Sequence, residues 1–205
     1  MKKTIICNIP MRGNIDLNVY ESNDESLPVS DDAYRYPVNS FLSQTIMSDD
    51  ELKFILLVKR DGTNNYKDNV SNYKHEIESI CNEKAISVDY KILETDFIET
   101  KETHSELLGR IIDAIDIESH IIADITYGPK DLPIVVFSAL FFAENYLNCD
   151  IDNIVYGQAL FEGNKVVKTK ICDMNPLYYL SALSNTIKCD DPQKARRMIN
   201  DLLSL

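Results

Sequence analysis

The stretch Ile121-Ile122-Ala123-Asp124-Ile125-Thr126-Tyr127-Gly128-Pro129-Lys130-Asp131-Leu132-Pro133-Ile134-Val135-Val136 constrains this chain more than any other. An apolar run ends in Asp and Thr, a Gly-Pro corner follows, and an almost wholly apolar helix begins. That order is strand, polar turn, helix. In an open α/β sheet, ligands bind at the carboxyl ends of the strands, where such turns lie. The first turn of a helix also offers unpaired N–H groups to an anion.

The same alternation runs along most of the chain. Strands are expected at Thr4–Ile9, Leu52–Lys59, Ile86–Leu93, His120–Ile125, Ile151–Leu160 and Lys165–Ile171. Helical spacing marks Val38–Ile46, Tyr66–Glu83, Thr103–Ile115, Leu132–Leu147, Asn175–Ser184 and Pro192–Leu205. Alternation of this kind gives an α/β sandwich with a mostly parallel central sheet. The last two strands join around Glu162-Gly163-Asn164, which reads as an antiparallel hairpin. Residues 14–37 are polar and acidic with little periodicity, so Asn14–Tyr36 is expected to be a long, mobile lid that buries little apolar surface, anchored by Tyr34 and Tyr36.

Composition narrows the function. The formal net charge is −12, which argues against long nucleic acid as a partner, because that needs a basic footprint. A small phosphorylated ligand remains open, since backbone N–H groups and one or two cations suffice to hold it. No apolar stretch is long enough for a membrane span. The five cysteines, at 7, 81, 149, 172 and 189, lie far apart and suggest reduced thiols in a cytoplasm. The signatures G-x-G-x-x-G, G-x-x-x-x-G-K-[ST] and G-x-S-x-G are absent, so neither a dinucleotide cofactor nor P-loop chemistry is expected. His75, His104 and His120 show no ligand spacing and read as surface or capping residues, and no metal is expected.

Two turns remain as candidate sites: Asn8-Ile9-Pro10-Met11-Arg12-Gly13 after the first strand, and Asp124–Lys130 after the fourth. Arg12 and Lys130 supply cations, Thr126 a hydroxyl, and Tyr127 a face for stacking a base. A purely local role for the second turn has equal standing on pattern alone, because Asp and Thr commonly cap a helix and Pro133 suits a first helical turn.

Asp124-Ile125-Thr126-Tyr127-Gly128-Pro129-Lys130-Asp131-Leu132-Pro133 resembles the Asp-x-Thr-x-Gly-x-Arg-x-x-Pro motif of CRISPR-associated Rossmann-fold (CARF) domains, with Lys130 at the basic position. Ile154-Val155-Tyr156-Gly157 resembles the strand that follows. The resemblance covers roughly Lys2–Ile171 and implies a Rossmann-like three-layer sandwich. It implies a cytoplasmic two-fold homodimer that binds cyclic oligoadenylate, as tetra- or hexa-adenylate, and controls an effector domain in type III CRISPR antiviral defence. The alternative is a ring nuclease that opens the ligand to linear products without a metal. Ligand contacts are then expected at Asn8, Pro10, Met11, Arg12, Asp124, Thr126, Tyr127, Gly128, Pro129 and Lys130, with Arg12, Thr126 and Lys130 as candidates for cleavage. No cofactor is expected.

Residues 1–172 form the expected sensor domain, and 173–205 a helical extension or a linker to an effector domain downstream. The R-x-x-x-x-H motif of the common ribonuclease effector is absent. Leu132–Leu147 is the expected dimer helix, because Val135, Phe137, Phe141, Phe142 and Tyr146 are more apolar surface than one sheet needs.

Overall fold

The computed structural model describes residues 1–13, 15–163, 165–186 and 188–203. Asn14 of the expected lid, Asn164 of the expected hairpin turn, and Ser204 and Leu205 of the expected last helix lie outside the described residues. The elements in chain order are β1 (Lys2–Ile9), α1 (Pro37–Thr45), β2 (Glu51–Arg60), α2 (Asn65–Lys84), β3 (Val88–Asp96), α3 (Lys101–Ala114), β4 (His120–Asp124), α4 (Asp131–Tyr146), β5 (Asp150–Glu162), β6 (Lys165–Asp173), α5 (Asn175–Thr186) and α6 (Pro192–Leu203). The chain divides into two compact units, Met1–Asp173 and Met174–Leu205. The second unit holds α5 and α6. Among the described residues no helix is long and apolar enough to cross a membrane.

The sheet of the first unit has strand order β3-β2-β1-β4-β5-β6. All neighbours are parallel except β5 and β6, which form the antiparallel hairpin. The expected α/β class, with its mostly parallel sheet and terminal hairpin, is therefore the observed one. β1 and β2 are apolar on both faces because both faces are covered. Ile5, Cys7, Ile9, Phe54, Leu56 and Val58 join α1 and α2 in one core cluster. The alternating residues, among them Ile6, Asn8, Ile55, Leu57 and Lys59, take the opposite face. There Leu107 and Ile111 of α3 and Leu132, Val136 and Leu140 of α4 are buried.

Boundaries moved where capping chemistry outweighs periodicity. Strand β3 begins at Val88 rather than at the expected Ile86. Ala85 adopts a left-handed conformation (φ 55) as the C-cap of α2, and the Ile86 N–H returns to the Cys81 carbonyl at 3.1 Å. Ile86 thus closes the helix. Helix α3 begins at Lys101 rather than at Thr103, because Thr100 caps it and forms a reciprocal capping box with Thr103.

The acidic segment before α1 also departs from expectation. Leu27 is fully buried and Tyr20 is 5% exposed, so this segment does bury apolar surface. Its backbone is tied at two places. Asn18 exchanges hydrogen bonds with Tyr34, both 2.9 Å, and Glu21 bridges to β6 through Thr169 O at 3.0 Å and Ile171 N at 2.9 Å. The Thr169 hydroxyl donates to Val19 O at 2.7 Å, and Lys168 pairs with Glu21 at 2.7 Å. Polar composition hid this, because backbone groups make most of these bonds whatever the side chains are.

Candidate functional site

β1 lies between β2 and β4, so the chain leaves it toward one face and re-enters beside it from the other. Such a switch point leaves a crevice at the carboxyl ends of the strands. Cys7 of β1 pairs in register with Asp124 of β4, which brings the two turns out side by side.

An open cleft of about 770 Å³ lies there on the α1 side of the sheet. Arg12, Thr126 and Tyr127 line it, as the sequence suggested. So do Asp16 and Tyr20 of the acidic segment, Pro37 of α1, and Tyr156, Gly157, Phe161 and Lys165 of the hairpin. Arg12 and Lys165 form no ion pair among the described residues. Two cations against the single carboxylate of Asp16 leave the wall positive in a chain of net charge −12. Tyr156 and Phe161 are 39% and 57% exposed and present ring surface.

The motif residues hold the cleft more than they face it. Asp124 is 1% exposed. Its Oδ1 accepts the Thr126 N–H at 2.8 Å, and Cys7 Sγ lies 3.9 Å from Oδ2. Burial raises its pKa to about 6, against hydrogen bonds from the Thr126 side chain, the Thr126 and Val38 N–H groups and Cys7, all of which favour the charge. The carboxylate therefore anchors the start of α1 as well as its own turn. The Thr126 hydroxyl accepts the Gly157 N–H at 2.8 Å and locks the turn onto β5. Tyr127 is not a free stacking platform. Its ring meets Tyr36 edge-on at 6.0 Å, and its hydroxyl donates to Arg35 O at 2.9 Å. Gly128 has φ +89, and a Cβ there would lie 2.7 Å from Leu132 Cδ1, so only glycine suits this turn.

The other expected contacts do not line the cleft. Pro10 is buried, Met11 and Pro129 are half-buried, and Gly128 and Lys130 are exposed where α4 begins. Asn8 is fully buried on the α3–α4 face, with neither amide atom partnered. A strand alternates its faces, so two residues of one turn signature can end on opposite sides of the sheet.

Sequence reading also missed the residue that holds the first turn. Asn69 of α2, 2% exposed, donates from Nδ2 to Pro10 O and to Arg12 O, both at 2.8 Å. Its own carbonyl accepts the Tyr36 hydroxyl at 2.6 Å. A polar residue at an inward helical position was the only signal. Asn69→Leu should strip two carbonyls of their donor and cost about 2 kcal/mol, read as a lower urea midpoint with unchanged slope. A midpoint equal to that of the native chain would show that the turn stands without it.

Comparison with models of known protein families and with curated proteins returned no match for this chain.

Proposed function

We propose that this chain is a CARF-type sensor that binds cyclic oligoadenylate across a homodimer and passes the signal to an effector. The observation that carries the reading is the cleft at the switch point. It is positive in an acidic chain, lined by exposed aromatic rings, and framed by the Asp124–Gly128 turn. Phosphates suit Arg12 and Lys165, and bases suit Tyr156 and Phe161.

A second copy suits α4. Val135, counted in that apolar surplus, is buried within the chain at 7% exposure, but Ile134 and Tyr146 are 69% and 74% exposed, with Phe137, Phe141 and Phe142 half-buried beside them. An isologous contact on this face would cover that surface.

Calorimetry with cyclic tetra- and hexa-adenylate tests the reading, with sedimentation on the same samples. One ring should bind per dimer, and the double variant Arg12→Ala/Lys165→Ala should bind at least tenfold more weakly. Added salt should weaken the native chain further. Absence of binding to either ring at micromolar protein, or native affinity in the double variant, would refute it.

The second reading, a ring nuclease, is favoured by one feature. Asp16 places an exposed carboxylate in the cleft wall with Arg12. A general base there would draw the proton from a ribose 2′-hydroxyl, whose oxygen attacks the adjacent phosphorus as the P–O5′ bond breaks and the 5′-oxygen leaves with a proton from solvent, while the cation steadies the phosphate. Linear products formed in multiple turnovers, and lost in Asp16→Asn with binding intact, would select it over the sensor.

A further inference from the structure

The second unit, Met174–Leu205, carries two helices, α5 and α6, of 12 residues each. Segments below about 40 residues rarely bury enough apolar surface to hold themselves together, and association commonly supplies the rest. This unit shows that shortage. Among its described side chains only Tyr178 is buried. Leu177, Leu183 and Met198 are 55%, 40% and 39% exposed. An open groove of about 450 Å³ remains between the helices, lined by Ser184 of α5 and Ala195, Arg196, Ile199 and Asn200 of α6.

The sequence of α6 says what covers it. Ala195, Met198, Ile199 and Leu202 recur at helical spacing and so take one stripe of the helix. Ala195 and Ile199 are only half-buried and Met198 is exposed, so α5 leaves the stripe open. With Ala195 at a and Met198 at d of a heptad, Lys194 and Asp201 both fall at g, and both are exposed. One heptad is about 10 Å along a helix, so these two side chains do not serve each other within one copy.

We propose that α6 packs on α6 of a second copy of this chain, antiparallel about a two-fold axis beside Met198. In that arrangement the g positions of the two helices face each other. Lys194 of each copy then meets the partner's Asp201, and the apolar stripes close between the two ion pairs. A parallel arrangement would set each g position against an e position, where Ile199 stands, and would pair neither charge. Self-association is the occupant these charges select, because opposite signs on one helix are placed to meet only across a two-fold axis. One patch serving on both sides is the isologous contact that such an axis generates. The pairing concerns the second unit alone and stands whether or not the cleft binds the proposed ligand.

Sedimentation equilibrium of the full chain, reduced and at low salt, tests the proposal. The native chain should form a dimer at micromolar concentration. Met198→Asp, at an exposed position, should raise its dissociation constant at least tenfold. Lys194→Asp, which turns two attractions into two repulsions, should raise it at least fivefold, and adding Asp201→Lys to Lys194→Asp should restore it to within about threefold of native. A monomer up to about 100 µM would overturn the pairing. So would native affinity in both Met198→Asp and Lys194→Asp, or a loss in Lys194→Asp that Asp201→Lys leaves uncorrected. Loss of the dimer in Ile134→Asp, with native affinity in Met198→Asp, would assign the contact to the α4 face and overturn the pairing of α6 while leaving the sensor reading intact.

Discussion

Gly157→Ala should lower the stability of the chain by about 3 kcal/mol, because overpacking of a closed contact costs up to that and sometimes more. A Cβ at Gly157 would lie 2.2 Å from Pro37 Cγ and 3.1 Å from Thr126 Cγ2. The first of these is a rigid ring at the start of α1, and the second belongs to the side chain that takes the Gly157 N–H. Neither can give way without moving α1 off the sheet or opening the β4 turn. In a chain of this size the loss corresponds to roughly 6–12 °C in Tm, and the ligand binding proposed for the cleft between these elements should weaken with it. Gly109→Ala is the matched control. It lies within α3 with nothing within 4 Å of a new Cβ, so alanine should raise stability by about 0.5–1 kcal/mol. A Tm for Gly157→Ala within two degrees (~2 °C) of the native chain would show that β5 has room to slide.

Asp124 should make the chain more stable in mild acid. Burial raises its pKa in the folded chain to about 6, above the ordinary value it recovers on unfolding. Between the two values the folded chain holds more protons, so stability falls as pH rises from about 4 to about 6 and is level above that. A gap of about two pKa units corresponds to roughly 3 kcal/mol. Asp124→Asn carries no charge at any pH and lacks this slope. Denaturation of both chains from pH 4 to pH 7.5, taken as a difference, isolates Asp124 from the surface carboxylates. A difference that does not change with pH would mean the carboxylate is better solvated than its burial indicates.

Strands β1, β2 and β4 were legible because a parallel strand covered on both faces must be apolar throughout, and such runs stand out in any sequence. The Asp124–Gly128 turn was legible because its geometry demands particular residues. A left-handed corner pressed against Leu132 takes glycine, and a turn whose N–H points back two residues, as that of Thr126 does, takes Asp. Boundaries set by reciprocal caps, as at Thr100 and Ala85, were less legible, since a cap works through one or two bonds that periodicity does not register.

What local sequence determined by itself was therefore the class of fold, the order of its elements and the place of the two turns. These follow from burial and backbone conformation, which act residue by residue. The walls of the cleft were decided only by tertiary structure. Tyr20 and Asp16 reach it because the acidic segment is bound to Tyr34 and β6, and Lys165 and Phe161 reach it because the hairpin extends past the β4 turn. Asn69 serves the first turn from a helix 57 residues beyond Arg12 in the chain, and His104 at the start of α3 meets Asp131 at the start of α4. Each of these depends on a pairing between distant segments. A polar side chain carries no mark of its partner until the chain has brought the two together.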